Sequence, residues 1–161
     1  MGSSSSSCSS SGGRSVETHY REDIRQEDSQ KDVRVVYIYI AFCRLGVRFN
    51  HWSVILELSN GQFACIQKIR HSFGNGWILI EVDSDLRTSV LRTCGDTNEI
   101  RTHKFSAVNF SWKKLRSWVP FEEGYNWTYL NCQKFADKVT SYICGKEIDS
   151  LPCEDGPTYY R

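Results

Sequence analysis

Residues 125–146, YNWTYLNCQKFADKVTSYICGK, decide how the chain is read. The first part is aromatic and polar without a period and reads as a loop. From Cys132 onward, Phe135, Ala136, Val139 and Ile143 recur at helical spacing and form one apolar stripe. Asn131 is a suitable N-cap and Gly145 a suitable stop. Cys132 therefore falls in the first turn of the helix. There the backbone N–H groups lack intrahelical acceptors, and the helix dipole favours a negative charge. A thiol so placed is drawn toward the thiolate, its reactive form. The plainer reading of the same residue is a buried cysteine packed as a small hydrophobe.

Working outward from this helix, the upstream chain reads as strands. Residues 33–43, VRVVYIYIAFC, are β-branched and aromatic on both faces, as in a central strand. A loop leads to a second strand at 51–58, HWSVILEL. Ser59, Asn60 and Gly61 make a tight hairpin turn into a third strand at 62–69. A turn at 71–76 precedes a fourth strand at 77–82. Residues 83–98 are polar and fit a loop with a short strand or a helical turn. Residues 99–108 alternate polar and apolar, as in an edge or surface strand. Ser111 caps a short helix that Pro120 ends. Strands come first and helices later, which predicts an α+β fold: an antiparallel sheet packed against the helix that begins at Cys132.

The 161 residues suit one domain with a real core. Residues 1–32 are Ser- and Gly-rich, then mixed in charge, and read as a disordered tail. The folded unit is expected over 33–148. Residues 149–161, with Pro152 and Pro157, read as an irregular C-terminal tail. A net charge of +1 gives no electrostatic case for nucleic acid. No apolar run is long enough to span a bilayer, and no secretory segment opens the chain. Seven cysteines without a CxxC pair indicate neither a disulfide framework nor a zinc site, and nothing calls for a cofactor. An intracellular, cytoplasmic and reducing setting is the simplest expectation.

Nucleophilic catalysis by a cysteine needs a base within hydrogen-bond reach and a third group to orient that base. Of the four histidines, His19 lies in the tail, His71 in a turn and His103 on a surface strand. His51 differs, because it opens a strand directly after a loop. Strand ends beside a helix N-terminus are where a Cys–His pair is readily built. Cys65 and Gln67 share one face of the neighbouring hairpin strand by its period of two. Gln67 can accept the imidazole N–H and is preferred over Cys65, a poor acceptor. Trp52, Tyr125 and Trp127 are candidates to line a groove, although aromatic residues more commonly fill cores.

The pair His51-Trp52 at a strand start, the hairpin with Gly61, and Asn131-Cys132-Gln133-Lys134-Phe135 opening a helix together resemble the permuted papain-like thiol enzymes. Within that NlpC-type superfamily the chain looks most like the lecithin retinol acyltransferase-like group. There a strand His precedes a helix-start Cys, in a motif of the form Asn-Cys-Glu-His-Phe or Asn-Cys-Gln-His-Phe. The resemblance covers about residues 33–147. One departure is that Cys65 stands near where the acyltransferases carry a second His. A Gln as third group is nearer to other members of the superfamily. The resemblance implies acyl transfer through a Cys132 thioester, with His51 as base and a backbone N–H near Cys132 as oxyanion donor. The implied substrate is a lipid or a peptide. A catalytically inactive member of the same fold, serving as a binding or membrane-anchored adaptor, is the competing expectation.

The first residues carry a separate signal. Met1-Gly2-Ser3-Ser4-Ser5-Ser6 fits the N-myristoylation pattern, with Gly2 as acceptor, and Cys8 is close enough for palmitoylation. One chain holds a protein only marginally on a membrane and two make the attachment stable, which would place this protein on the cytoplasmic face. A serine tract matching by chance is the plain alternative. Gly2→Ala is expected to move the protein from the membrane fraction of cells to the soluble fraction. Unchanged fractionation would show that Gly2 is not lipidated.

Overall fold

The computed structural model describes residues 17–21, 32–45, 49–70, 76–93, 99–105, 109–119 and 131–160. They form an α+β arrangement around one mostly antiparallel sheet. Its long central members are β2 (Arg34–Leu45) and β3 (Phe49–Leu58), paired antiparallel with Cys43 opposite His51. β4 (Phe63–Arg70) follows β3 through the expected hairpin. Leu58 N–H bonds the Gln62 carbonyl at 2.8 Å, and Gly61 sits at φ +84°. Only glycine adopts that angle cheaply, so one residue fixes the turn and hence the β3–β4 register.

β5 (Gly76–Asp83) extends the sheet beyond β4. On the other side of β2 lies β6 (Glu99–Phe105). A two-residue β7 (Phe110–Ser111) also pairs with β2. Among the described residues, several elements fall where the sequence reading placed none, β7 among them. Glu17–Arg21, assigned to the disordered tail, forms β1 and runs parallel to β5. The C-terminal residues, expected to be irregular, supply β8 (Cys153–Asp155) and β9 (Tyr159–Tyr160), both paired with β6. β6 is therefore an interior strand rather than an edge. Its alternating pattern was compatible with either position, because hydrogen bonding by a distant segment leaves no trace in local periodicity. Gly156 makes this docking possible. Its N–H bonds the Thr102 carbonyl at 2.9 Å, and an added Cβ would run into the Thr102 hydroxyl.

The two faces of the sheet bury different cores. Ile38, Ile40, Val54, Leu56, Ala64, Ile66, Ile78 and Ile80 face α2 (Trp112–Trp118) and α3 (Cys132–Cys144). Tyr39, Ala41, Cys43, Ile55, Cys65 and Ile100 face the other way, where Val90 of α1 (Leu86–Leu91) covers them. Period-two alternation alone would turn Val35 away from Ile38 and Ile40. A register shift between Val35 and Tyr37 restores it to their face.

The helices follow their local signals. Ser111 Oγ accepts the Lys114 N–H and Asn131 Oδ1 accepts the Lys134 N–H, while Gly145 ends α3 at φ +69°. Each cap contributes roughly 1 kcal/mol. Burying Phe135, Val139 and Ile143 contributes about 1.5–3 kcal/mol for each large side chain, so packing outweighs capping in placing α3. Among the described residues, no helix is long and apolar enough to cross a membrane.

Ile66 is fully buried on β4 beneath α3. Ile66→Ala is expected to cost about 2–5 kcal/mol, read as a lower urea midpoint at unchanged slope.

Candidate functional site

His51 is the third residue of β3, on the sheet face opposite the α3 core, and it is buried. Gln67, also buried, stands across on β4, where its backbone pairs with Ser53. The gap between strands is closed by a 3.0 Å hydrogen bond between His51 Nε2 and Gln67 Oε1. The other end of the amide donates from Nε2 to the Arg92 carbonyl at 3.2 Å. A carbonyl oxygen only accepts, so the NH₂ end of Gln67 must face Arg92 and the oxygen end must face the ring. His51 Nε2 therefore carries a proton, and in the neutral ring Nδ1 is left with its lone pair.

Cys132 reaches this ring from the first turn of α3. Its thiol hydrogen-bonds His51, and Sγ lies 3.8 Å from the Asn50 carbonyl. The single S–H proton thus has two acceptors within reach, a backbone oxygen and an imidazole nitrogen. Burial lowers the His51 pKa, because a buried ring resists charge. The Cys132 hydrogen bond and charge, with help from Gln67, outweigh that effect and hold the pKa above its ordinary value. The structure thus brings together Cys132, His51 and Gln67 from α3, β3 and β4.

Cys65, the alternative third group, is turned to Ser53 instead. Burial first, and then the Glu81 charge, push its thiol up to about 12, so it stays protonated and inert. Trp52 is half-buried and packs on the α3 side, with its ring 6.4 Å from that of Phe42. Gln133 is half-buried beside Cys132. His103 stacks on Phe42 at 5.0 Å, and its Nδ1 lies 3.4 Å from Asp155 Oδ1. His19 lies on β1 opposite Leu79. Tyr125, Trp127, His71, Gly2 and Cys8 lie outside the described residues. Among the described residues no cluster of three or more metal-ligating side chains exists.

Some features were missed by sequence reasoning. Arg92 grips Asp83 and Glu81 at the edge of the site, although residues 83–98 gave no clear element. Lys68 is fully buried under α3, with Nζ 5.9 Å from the Phe135 ring centroid. Its parity with Ala64 and Ile66 was the available signal, since it set a charge on the apolar face of β4. The reduced chain expected from the cysteine count is also not what is found. Cys43, the β2 partner of His51, is disulfide-bonded, whereas Cys65, Cys132, Cys144 and Cys153 are outside any disulfide.

The chain matches no protein-family model, and no curated protein or solved structure matches it.

A raised His51 pKa means that the folded state binds this proton more tightly than the unfolded chain. The resulting stabilisation is fully present below the unfolded value of about 6.5 and is lost as pH rises through the folded value. NMR titration of His51 is expected to give a midpoint above about 6.5. In Cys132→Ala only burial and Gln67 remain, and the midpoint should fall below that of the wild type.

Proposed function

We propose that this protein is a cysteine-dependent hydrolase or acyltransferase acting on an ester or amide bond, with Cys132 as nucleophile, His51 as base and Gln67 as the group that orients the base. The observation that carries this reading is the hydrogen-bonded series from Cys132 through His51 to Gln67. Three separated segments contribute one residue each, and each has the chemistry its position needs.

In the reaction, His51 Nδ1 takes the thiol proton as sulfur attacks the substrate carbonyl carbon. Backbone N–H groups at the start of α3, where the helix dipole favours anions, stabilise the tetrahedral oxyanion. The imidazolium returns its proton to the departing alcohol or amine, which leaves an acyl thioester on Cys132. His51 then draws a proton from water or an acceptor, which attacks the thioester and frees the enzyme. Gln67 holds the Nε2 proton throughout, so the ring keeps its orientation through both steps. The arrangement of a strand His, a hairpin partner and a helix-start Cys supports a permuted papain-like scheme of the lecithin retinol acyltransferase-like kind. Lipid and peptide substrates both suit it, and attachment through Gly2 and Cys8 would bring the protein to a lipid surface.

An inactive binding or adaptor protein of the same design is favoured by one observation. Cys132 is only 5% exposed, and a nucleophile must meet its substrate.

Incubation with p-nitrophenyl acetate separates the two readings. An acetyl group on Cys132, found by peptide mass spectrometry, is expected. Cys132→Ser and His51→Ala should each lower nitrophenol release by on the order of 10²–10⁴-fold. Their combination should cost little more, because the residues act as a unit. If Cys132 stays unacylated and reacts with iodoacetamide no faster than the exposed Cys153, the adaptor reading stands.

A further inference from the structure

Gln67 orients His51 only while its own amide is oriented. The two ends of a carboxamide have nearly the same shape, so a flip costs little unless a neighbour distinguishes them. Here that neighbour is the Arg92 carbonyl, 3.2 Å from Gln67 Nε2. Arg92 is the C-cap of α1, a helix of six residues. So short a helix has little stability of its own, and its place must come from side-chain anchors.

Those anchors surround Arg92. Its Nε lies 2.8 Å from Asp83 Oδ2, its Nη2 lies 2.7 Å from Asp83 Oδ1, and its Nη1 lies 3.0 Å from Glu81 Oε1. Asp83 is buried and also accepts the Ser89 hydroxyl at 2.8 Å, which ties both ends of the α1 C-terminal turn to the end of β5. One residue further on, Thr93 and Ser53 share a 2.6 Å hydroxyl contact. Paired guanidinium–carboxylate bonds are directional and strong, so they hold a backbone carbonyl where a single contact would let it drift.

We propose that the Arg92–Asp83–Glu81 ion cluster is a tautomer lock: it fixes the Arg92 carbonyl, that carbonyl fixes the Gln67 amide, and the amide keeps the His51 proton on Nε2 so that Nδ1 can accept from Cys132. Without the lock the Gln67 amide is free to flip and offer N–H to the ring. Nε2 would then have to accept, and the proton would move to Nδ1. That tautomer faces the thiol with a donor and cannot act as its base. Asp83, Glu81 and Arg92 are thus positioning residues, none of which touches the reacting atoms. This inference rests on the thiol–imidazole reading of the site for its functional meaning, although its physical content is independent of it.

Among the described residues, the groups that face the ring are Cys132 from α3, Gln67 from β4 and, across on β2, the disulfide-bonded Cys43. Among the described residues, Arg92, Asp83, Glu81 and the protonated Cys65 stand on that side of β4, and Tyr39 with Glu57 lies farther along the same face of the sheet. Changing a carboxylate in the cluster alters the field at His51 and so can move its titration. The ratio of neutral tautomers reports the amide orientation and separates the lock from that field effect.

The test is long-range ¹H–¹⁵N NMR of the His51 imidazole in the full chain, with iodoacetamide alkylation of Cys132 followed across pH. The wild type should show the Nε2–H tautomer. Asp83→Asn should shift the ring toward Nδ1–H and slow Cys132 alkylation near neutral pH by up to about 10²-fold, the lower end of what a positioned base supplies. Arg92→Lys, which keeps the charge but loses the fork, should give a smaller shift in the same direction and serves if Asp83→Asn fails to fold. A folded variant, judged by unchanged near-ultraviolet circular dichroism, that retains the Nε2–H tautomer and the wild-type alkylation profile overturns the lock. If wild-type Cys132 proves no more reactive than Cys153, the catalytic reading fails, and the tautomer shift in Asp83→Asn still decides the lock.

Discussion

The contact on which the site depends is apolar. Phe135, Ala136, Val139 and Ile143 of α3 press against Val54, Leu56, Ala64 and Ile66 on the sheet, and this stripe sets where the helix begins. Cys132 is the first residue of that helix, so its sulfur is delivered to the start of β3 by packing several residues away. No hydrogen bond in the site could impose such a placement. A single hydrogen bond yields about 0.5–1.5 kcal/mol net, less than burial of one large apolar side chain. The polar groups choose orientation within a position that the core has already selected.

The opposite face of the sheet does different work. There a thin apolar cluster around Ile55, Cys65 and Val90 carries a layer of polar side chains: His51, Ser53, Gln67, Asp83, Ser89 and Thr93. Buried polar groups are costly unless paired, and here they are paired with one another. Ser53 meets Thr93, Gln67 meets both His51 and Arg92, and Asp83 meets Arg92 and Ser89. Such a layer adds little net stability but allows few alternative arrangements. A general base needs that restriction, because proton transfer depends on which nitrogen faces the thiol.

Cys65 and Cys132 show how environment separates chemically identical groups. Cys65 is enclosed in the sheet near Glu81, and burial with that negative charge holds its proton. Cys132 sits at a helix start against an imidazole whose pKa it raises.

Several features could be read directly from the residues because their causes are local. The stripe and caps of α3, the Ser111-capped α2, the Gly61 hairpin and the shared face of Cys65 and Gln67 depend on neighbours a few positions away. The pairing of His51 with Gln67 rather than Cys65 was also available, from strand parity and acceptor chemistry. Tertiary structure alone decided the rest. β1, β8 and β9 are too short and polar to announce themselves, and they exist as strands because β5 and β6 offer them backbone partners. α1 is positioned by Asp83 and Arg92, nine residues apart, whose attraction has no periodic signature. The disulfide at Cys43 and the burial of Lys68 likewise follow from which surfaces meet. Sequence pattern specifies what each segment is, because backbone sterics and side-chain period act over a few residues. Which segments share a site depends on long-range packing, whose energy appears only once the chain has closed on itself.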